Sequence, residues 1–122
     1  MAKILYVDDE ADIREVAQMS LELDDGLEVR VCGSGREALP ASAEWQPDLI
    51  LLDVMMPEMD GPATLQALRS DPATSAVPVV FITARSQAAE VEALLRSGAL
   101  GVIAKPFDPM RLAASVRAFL GA

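Results

Sequence analysis

Histidine is absent from the 122 residues, and cysteine occurs once, at Cys32. No internal disulfide can form, and the clustered Cys and His donors of a zinc site are missing, so disulfide scaffolds and zinc centres are both excluded. Aromatic residues are scarce: Tyr6, Trp45, Phe81, Phe107 and Phe119 are too scattered to form a platform on which nucleic-acid bases stack. Lysine occurs only at positions 3 and 105, and 10 basic against 19 acidic residues leave a net charge of −9, which repels a phosphate backbone. Direct binding to nucleic acid is therefore not expected. Long apolar runs are lacking too, since charges and prolines interrupt the chain far more often than the roughly 20 residues a membrane span requires. In the opening MAKILYVDDE, acids follow the apolar stretch Ile4–Val7 at once. This is no signal peptide, and the mature protein is expected to begin here, in a reducing cytoplasm that suits a single free thiol.

What remains is 52% apolar, enough for one domain over residues 1–122 that buries roughly two thirds of its unfolded surface. No repeat or low-complexity tract interrupts it. Short runs rich in Val, Ile and Leu at Ile4–Val7, Leu27–Cys32, Leu49–Leu52, Val77–Ile82 and Leu100–Ala104 read as five strands, mostly buried on both faces as parallel strands are. Between them lie helical spacings: Ile13, Val16, Ala17 and Leu21, then Val91, Leu94 and Leu95 before the stop signal Gly98, and Leu112, Val116, Phe119 and Leu120. Another helix opens at Asp60-Gly61-Pro62 with Leu65 and Leu68 inward. Ser34 and Glu37 form a capping box for the remaining one, yet Pro40 then falls inside it, so a kink or a late start is expected there. Met55, Met56 and Met59, together with Trp45 and Cys32, read as packing and loop residues. The alternation predicts an α/β fold, a doubly wound (βα)5 parallel sheet whose functional groups collect at the carboxyl ends of its strands.

Those ends carry Asp8 and Asp9, Asp53, Thr83, and Lys105-Pro106. Strands 1 and 3 are expected to be neighbours where the winding reverses, so the three acids should share a pocket. Two carboxylates about 5 Å apart repel by roughly 3 kcal/mol at an effective dielectric near 20, and a cation is needed. An all-oxygen donor set without His or thiolate clusters suits Mg²⁺, or Mn²⁺, better than Ca²⁺, for which no D-x-D-x-D-G loop is present. Asp8, Asp9 and Glu10 also suit the first turn of a helix by the macrodipole alone, and Thr83 could be a simple turn residue. Asp53 resists such a reading, because an acid closing the run LILLD should be largely buried. A carboxylate in this setting can be a nucleophile toward a phosphoryl donor, with Thr83 as hydrogen-bond donor and Lys105 as a mobile positive charge.

Together VDDE, LLDVMMPEMDG, ITA and KPF resemble the receiver domain of two-component response regulators, over the whole chain. The resemblance implies a flavodoxin-like three-layer sandwich with strand order 2-1-3-4-5, and transfer of a phosphoryl group from a histidine kinase or histidine phosphotransfer protein to Asp53. It further implies that Asp9 binds Mg²⁺ directly, Asp8 acts mostly through water and the Met55 backbone carbonyl supplies another ligand. Thr83 and Lys105 would contact the phosphoryl group, Pro57 and Gly61 would shape the loop, and the Lys105–Pro106 bond would be cis, which X-Pro bonds tolerate. By the same resemblance, Met55 and Arg85, each two beyond its motif residue, would occupy positions whose side chains modulate acyl-phosphate lifetime in the family. One departure stands out: Val102 replaces the family's switch aromatic three residues before the lysine.

The reading favoured is a phosphorylation-controlled interaction module that catalyses only its own phosphorylation and dephosphorylation. Its output would pass through helix 4, strand 5 and helix 5 to a downstream protein or output domain, as a monomer or an activation-dependent dimer, with no membrane partner. Two alternatives are a phosphorylation-independent interaction domain, which Val102 keeps open, and a Mg²⁺-dependent aspartyl-phosphate phosphatase. The phosphatase would need an acid two residues after the nucleophile, where Met55 stands. The chain is read as either a stand-alone regulator or a receiver cut from a longer protein.

Overall fold

The computed structural model describes residues 1–121. Strands β1 (Ala2–Val7), β2 (Leu27–Cys32), β3 (Leu49–Asp53), β4 (Val79–Thr83) and β5 (Gly101–Ala104) alternate with helices α1 (Ala11–Glu22), α2 (Gly35–Trp45), α3 (Gly61–Ser70), α4 (Ala88–Arg96) and α5 (Leu112–Leu120). The strands pair in parallel in the order β2-β1-β3-β4-β5. This is the doubly wound, three-layer arrangement expected.

Alternation along each strand divides the core in two. Leu5, Val7, Ile50, Leu52, Val79 and Phe81 pack with Leu65 and Leu68 of α3 and Ala38 and Trp45 of α2. Ile4, Tyr6, Leu49, Leu51, Val80 and Ile82 pack with Ala17 and Leu21 of α1 and Leu112 and Val116 of α5. β3 and β4 are buried throughout, whereas the edge strands β2 and β5 are only partly so. Trp45 is capped by cations, with the Arg30 guanidinium 4.6 Å and the Lys3 ammonium 5.6 Å from its ring centre.

Several expected boundaries and faces shift for local reasons. β4 starts at Val79 because the Val77 N–H closes a turn on the Thr74 carbonyl at 3.1 Å. In α1 the buried stripe is Ala17, Ser20 and Leu21, and Val16, expected inward, is 40% exposed. The helix rotates to lay the small Ala17 against the sheet, while Ser20 hides its hydroxyl by donating to the Val16 carbonyl at 2.7 Å. α4 has no fully buried residue, and Leu95 is exposed rather than packed. Gly98 ends that segment with φ at 109°, a backbone state that glycine adopts freely. Met56 is in the core and Met55 is exposed.

α2 starts on time, with the Ser34 hydroxyl accepting from the Glu37 N–H at 3.1 Å, and runs through Pro40 as one helix. The expected late start does not occur. Pro40 lies in the second turn and both it and Arg36 are exposed, so the carbonyl that loses its helical donor is left to water. An interior proline costs about 3 kcal/mol relative to alanine, partly offset by about 0.4–1 kcal/mol of unfolded-state stiffness. Pro40→Ala should therefore raise unfolding free energy by about 2–2.5 kcal/mol in urea titrations; an unchanged or lower midpoint would contradict this account of α2.

Candidate functional site

Strand parity assembles the site. Asp8 follows Tyr6 by two residues, Asp53 follows Leu51, and Lys105 follows Ile103, so all three point to the α1/α5 side at the carboxyl rim. The Lys105 ammonium donates to Asp8 Oδ2 at 3.1 Å and to Asp53 Oδ2 at 3.4 Å, and stands 3.6 Å from Glu10 Oε1. Asp8 is fully buried and Asp53 is 3% exposed. One ammonium thus joins acids from two strands and the start of α1. A cleft of about 330 Å³ opens here, lined by Glu10, Ile13, Asp53, Met55, Ala84, Lys105 and Pro106.

Backbone geometry around Asp53 depends on Gly61. Its N–H donates to the Val54 carbonyl at 2.9 Å, and a Cβ there would come within 2.7 Å of the Asp53 carbonyl oxygen. Pro57 accepts from the Met59 N–H at 2.8 Å across Glu58, whose φ is 66°. The Met55 N–H approaches Asp53 Oδ1 at 3.4 Å. Lys105–Pro106 is cis, as expected.

Thr83 is not in this group. It shares the parity of Phe81, on the opposite side of the sheet, and its hydroxyl accepts from the Arg85 N–H at 2.9 Å. Thr83 lines a neighbouring cleft of about 340 Å³ beneath α4, with Val54, Met55, Arg85, Glu90 and Leu94. Three residues that sequence reasoning did not assign to the site belong to it: Glu10, Arg14, whose Nη1 donates to the Asp8 carbonyl at 2.7 Å, and Tyr6, whose hydroxyl donates to Asp8 Oδ2 at 3.1 Å. The signal for Tyr6 was present, since residues two apart on a strand share a face.

The electrostatics call for a cation. Burial first, and the Asp8 charge second, push Asp53 up from 3.8 to about 6, against the lowering effects of Lys105 and the Met55 N–H. Burial works against the Lys105 charge, but its hydrogen bond to Asp8 and the fields of Asp53, Asp8 and Glu10 outweigh that and raise its pKa. Asp8, Asp9 and Glu10 bring one carboxylate oxygen each within 4.8 Å of one another. Acids outnumber the one ammonium and the cluster offers hard oxygen donors, so the residues fit a divalent cation such as Mg²⁺.

A parallel (βα)5 sheet in this order, with acids on its two central strands facing a lysine on its edge strand, defines a phosphoaccepting signalling module. The family model described as the response regulator receiver domain matches residues 4–117, and the chain belongs to that family. Among curated relatives, the DNA-binding response regulator MtrA of Mycolicibacterium paratuberculosis is 43% identical over 118 residues, covering 97% of this chain and 51% of the relative. The probable transcriptional regulator ycf27 of Guillardia theta is 39% identical, covering 97% and 45%. The chain spans about half the length of these relatives. Among solved structures, the chemotaxis response regulator CheY4 of Vibrio cholerae superposes with a TM-score of 0.89 at 33% identity, covering 98% of each chain.

This is a receiver domain with a phosphoaccepting role in two-component signalling, a family whose members work with histidine kinases and bind Mg²⁺ at an acidic cluster. No described helix is long and apolar enough to cross a membrane. The expectation of no nucleic-acid partner loses its support for any longer protein. It rested on the charge of these residues alone, whereas about half of each DNA-binding relative lies outside the match.

Metal-free, the folded protein holds a proton on Asp53 between pH about 4 and about 6 that the unfolded chain has released, so its stability falls as pH rises through that window. At pH 7 without metal, Asp53→Asn should raise unfolding free energy by about 2–3 kcal/mol. Mg²⁺ should lift the wild-type urea midpoint and barely move the variant. A variant less stable than wild type under those conditions would refute the electrostatic account.

Proposed function

We propose that Asp53 is the phosphoacceptor, and the observation that carries this is its burial between Asp8 and the Lys105 ammonium at the mouth of a cleft. An Asp53 carboxylate oxygen forms a bond to phosphorus while the P–N bond of a donor phosphohistidine breaks. The leaving imidazole nitrogen keeps the electron pair and takes a proton from water. Asp9, Asp8 and the Met55 carbonyl would hold Mg²⁺, which when bound would supply positive charge to offset that on the phosphoryl oxygens. Lys105 is already within reach of Asp53 and can follow the phosphoryl group as a point charge. Thr83 must turn from its Arg85 contact to donate to that group, and this turn links the site to the cleft under α4.

The domain acts on itself and has no separate small-molecule substrate in this reading. It works in the cytoplasm, as a monomer or as a dimer formed on activation. Output passes through α4, β5 and α5 to a downstream protein or output domain, and α4, with no fully buried residue, is the element cheapest to reseat. A coupling of about 1–3 kcal/mol suffices. Val102 packs against the α2/α3 core, so the switch proceeds without an aromatic at that position.

The donor protein has an apolar place to dock. Val16, Met19, Leu23, Pro109 and Met110 line a groove of about 270 Å³ on the outer side of α1, and all but Pro109 rank among the exposed large hydrophobic residues. Val16 of this groove lies three residues, about one helical turn, beyond Ile13, which lines the Asp53 cleft.

With a small phosphodonor and Mg²⁺, intact-mass measurement should find one phosphoryl group on the wild type and none on Asp53→Asn; labelling that persists in the variant would sink the assignment. Met19→Glu should slow transfer from a phosphorylated histidine kinase by about tenfold, a loss of about 1.4 kcal/mol, and leave labelling by the small donor unchanged. Equal slowing with both donors would place the fault in the site rather than in docking.

A further inference from the structure

The hydroxyl of Tyr6 has no part in the chemistry described so far. It lies on the chain's one tyrosine, which is fully buried in β1, and it donates to Asp8 Oδ2 at 3.1 Å. The same oxygen accepts from Lys105 at 3.1 Å, and Asp8 Oδ1 accepts from the Glu10 N–H at 2.9 Å. Asp8 is thus held by one charged donor and two neutral ones. The ring of Tyr6 stands edge-on to Phe107, with centroids 6.4 Å apart and planes at 71°, and Phe107 follows Lys105-Pro106 directly in sequence.

We propose that Tyr6 is a positioning residue for the metal site, its hydroxyl fixing Asp8 so that the carboxylate keeps its orientation when a divalent cation arrives. The two donors on Oδ2 respond differently to that event. An ammonium and a divalent cation repel each other, so Lys105 is driven off Asp8 toward Asp53 and any phosphoryl group there. The neutral phenol feels no such force. It remains the side-chain donor that holds Asp8 through the whole cycle, its ring fully buried and set edge-on to Phe107. Hydrogen bonds that orient metal-binding carboxylates typically contribute 10–100-fold in affinity. A tyrosine here therefore lets Lys105 leave Asp8 for the phosphoryl group without releasing the acid that organises the cation.

This inference rests on the phosphoacceptor reading above and goes further in assigning a residue to metal affinity. Tyr6→Phe keeps the ring and its contact with Phe107 and removes only the hydroxyl. Direct binding of Mg²⁺ by calorimetry, and of Mn²⁺ by electron paramagnetic resonance, should weaken about tenfold in the variant. With a small phosphodonor, the half-saturating Mg²⁺ concentration should rise by the same factor, while the labelling rate at saturating Mg²⁺ stays within about twofold of wild type. A merely structural tyrosine would not divide the two quantities in this way. Unchanged or tighter metal binding by a folded Tyr6→Phe protein, alongside normal binding by wild type, overturns the role of Tyr6 and leaves the phosphoacceptor reading standing. Absence of Mg²⁺ and Mn²⁺ binding by the wild type overturns both.

Discussion

One ammonium group holds the functional end of this molecule together. Lys105 bridges Asp8 and Asp53 across 97 and 52 residues of sequence, and it is the cation that reaches both buried acids among the described residues. Two carboxylates so close cost roughly 3 kcal/mol when both are charged, and a single positive charge relieves only part of that. Burial first, and the Asp8 charge second, hold Asp53 well above the usual carboxylate range despite Lys105. The fold thus gathers more acidic than basic charge at this rim, an imbalance that a hard divalent cation would offset.

The fold creates it through parity. In a parallel sheet, whether a strand-end residue faces one helical layer or the other follows from counting by two from the core. Asp8, Asp53 and Lys105 all count to the α1/α5 side, and Thr83 counts to the α3/α4 side. That one-residue difference separates two clefts of similar size across β4. Thr83 borders the cleft under α4 and, by rotation of its side chain, can report on Asp53 from across the strand end. A residue of the same parity as Asp53 would bind phosphoryl more easily and communicate less.

Much of this was legible in the chain, and the rest was hidden for identifiable reasons. Apolar runs ending in acids marked β1 and β3 because buried acids need a purpose, and punctuation by Gly and Pro marked the loops. Strand starts were misplaced where a turn hydrogen bond, such as the one from Val77 to Thr74, competes with the sheet. The face of α1 was misread because an apolar Val16 and a polar Ser20 exchanged the places that hydropathy assigns them. Ser20 satisfies its hydroxyl within its own helix, and Val16 belongs to a surface groove. At the site, Tyr6, Glu10 and Arg14 escaped notice for a common reason. Their identities are ordinary for a core strand or a helix start, and only their distances to Asp8 give them a role.

The charge bookkeeping bears on how such a domain signals. Asp8, Asp9, Glu10 and Asp53 exceed Lys105 by three negative charges. A divalent cation removes two of them, and a phosphoryl group of about −2 in place of the Asp53 carboxylate restores about one. By this count the proposed phosphorylated, metal-bound site would end about one charge less negative than the metal-free one, a small change for a long-range field to carry as a signal. In the proposed cycle, what would differ between the states is where hydrogen-bond donors point: Lys105 away from Asp8 and Thr83 away from Arg85. Local rearrangements of this kind spread only where neighbouring structure yields easily, and α4, which buries none of its residues fully, is the helix beside Thr83 that can yield without disturbing the sheet.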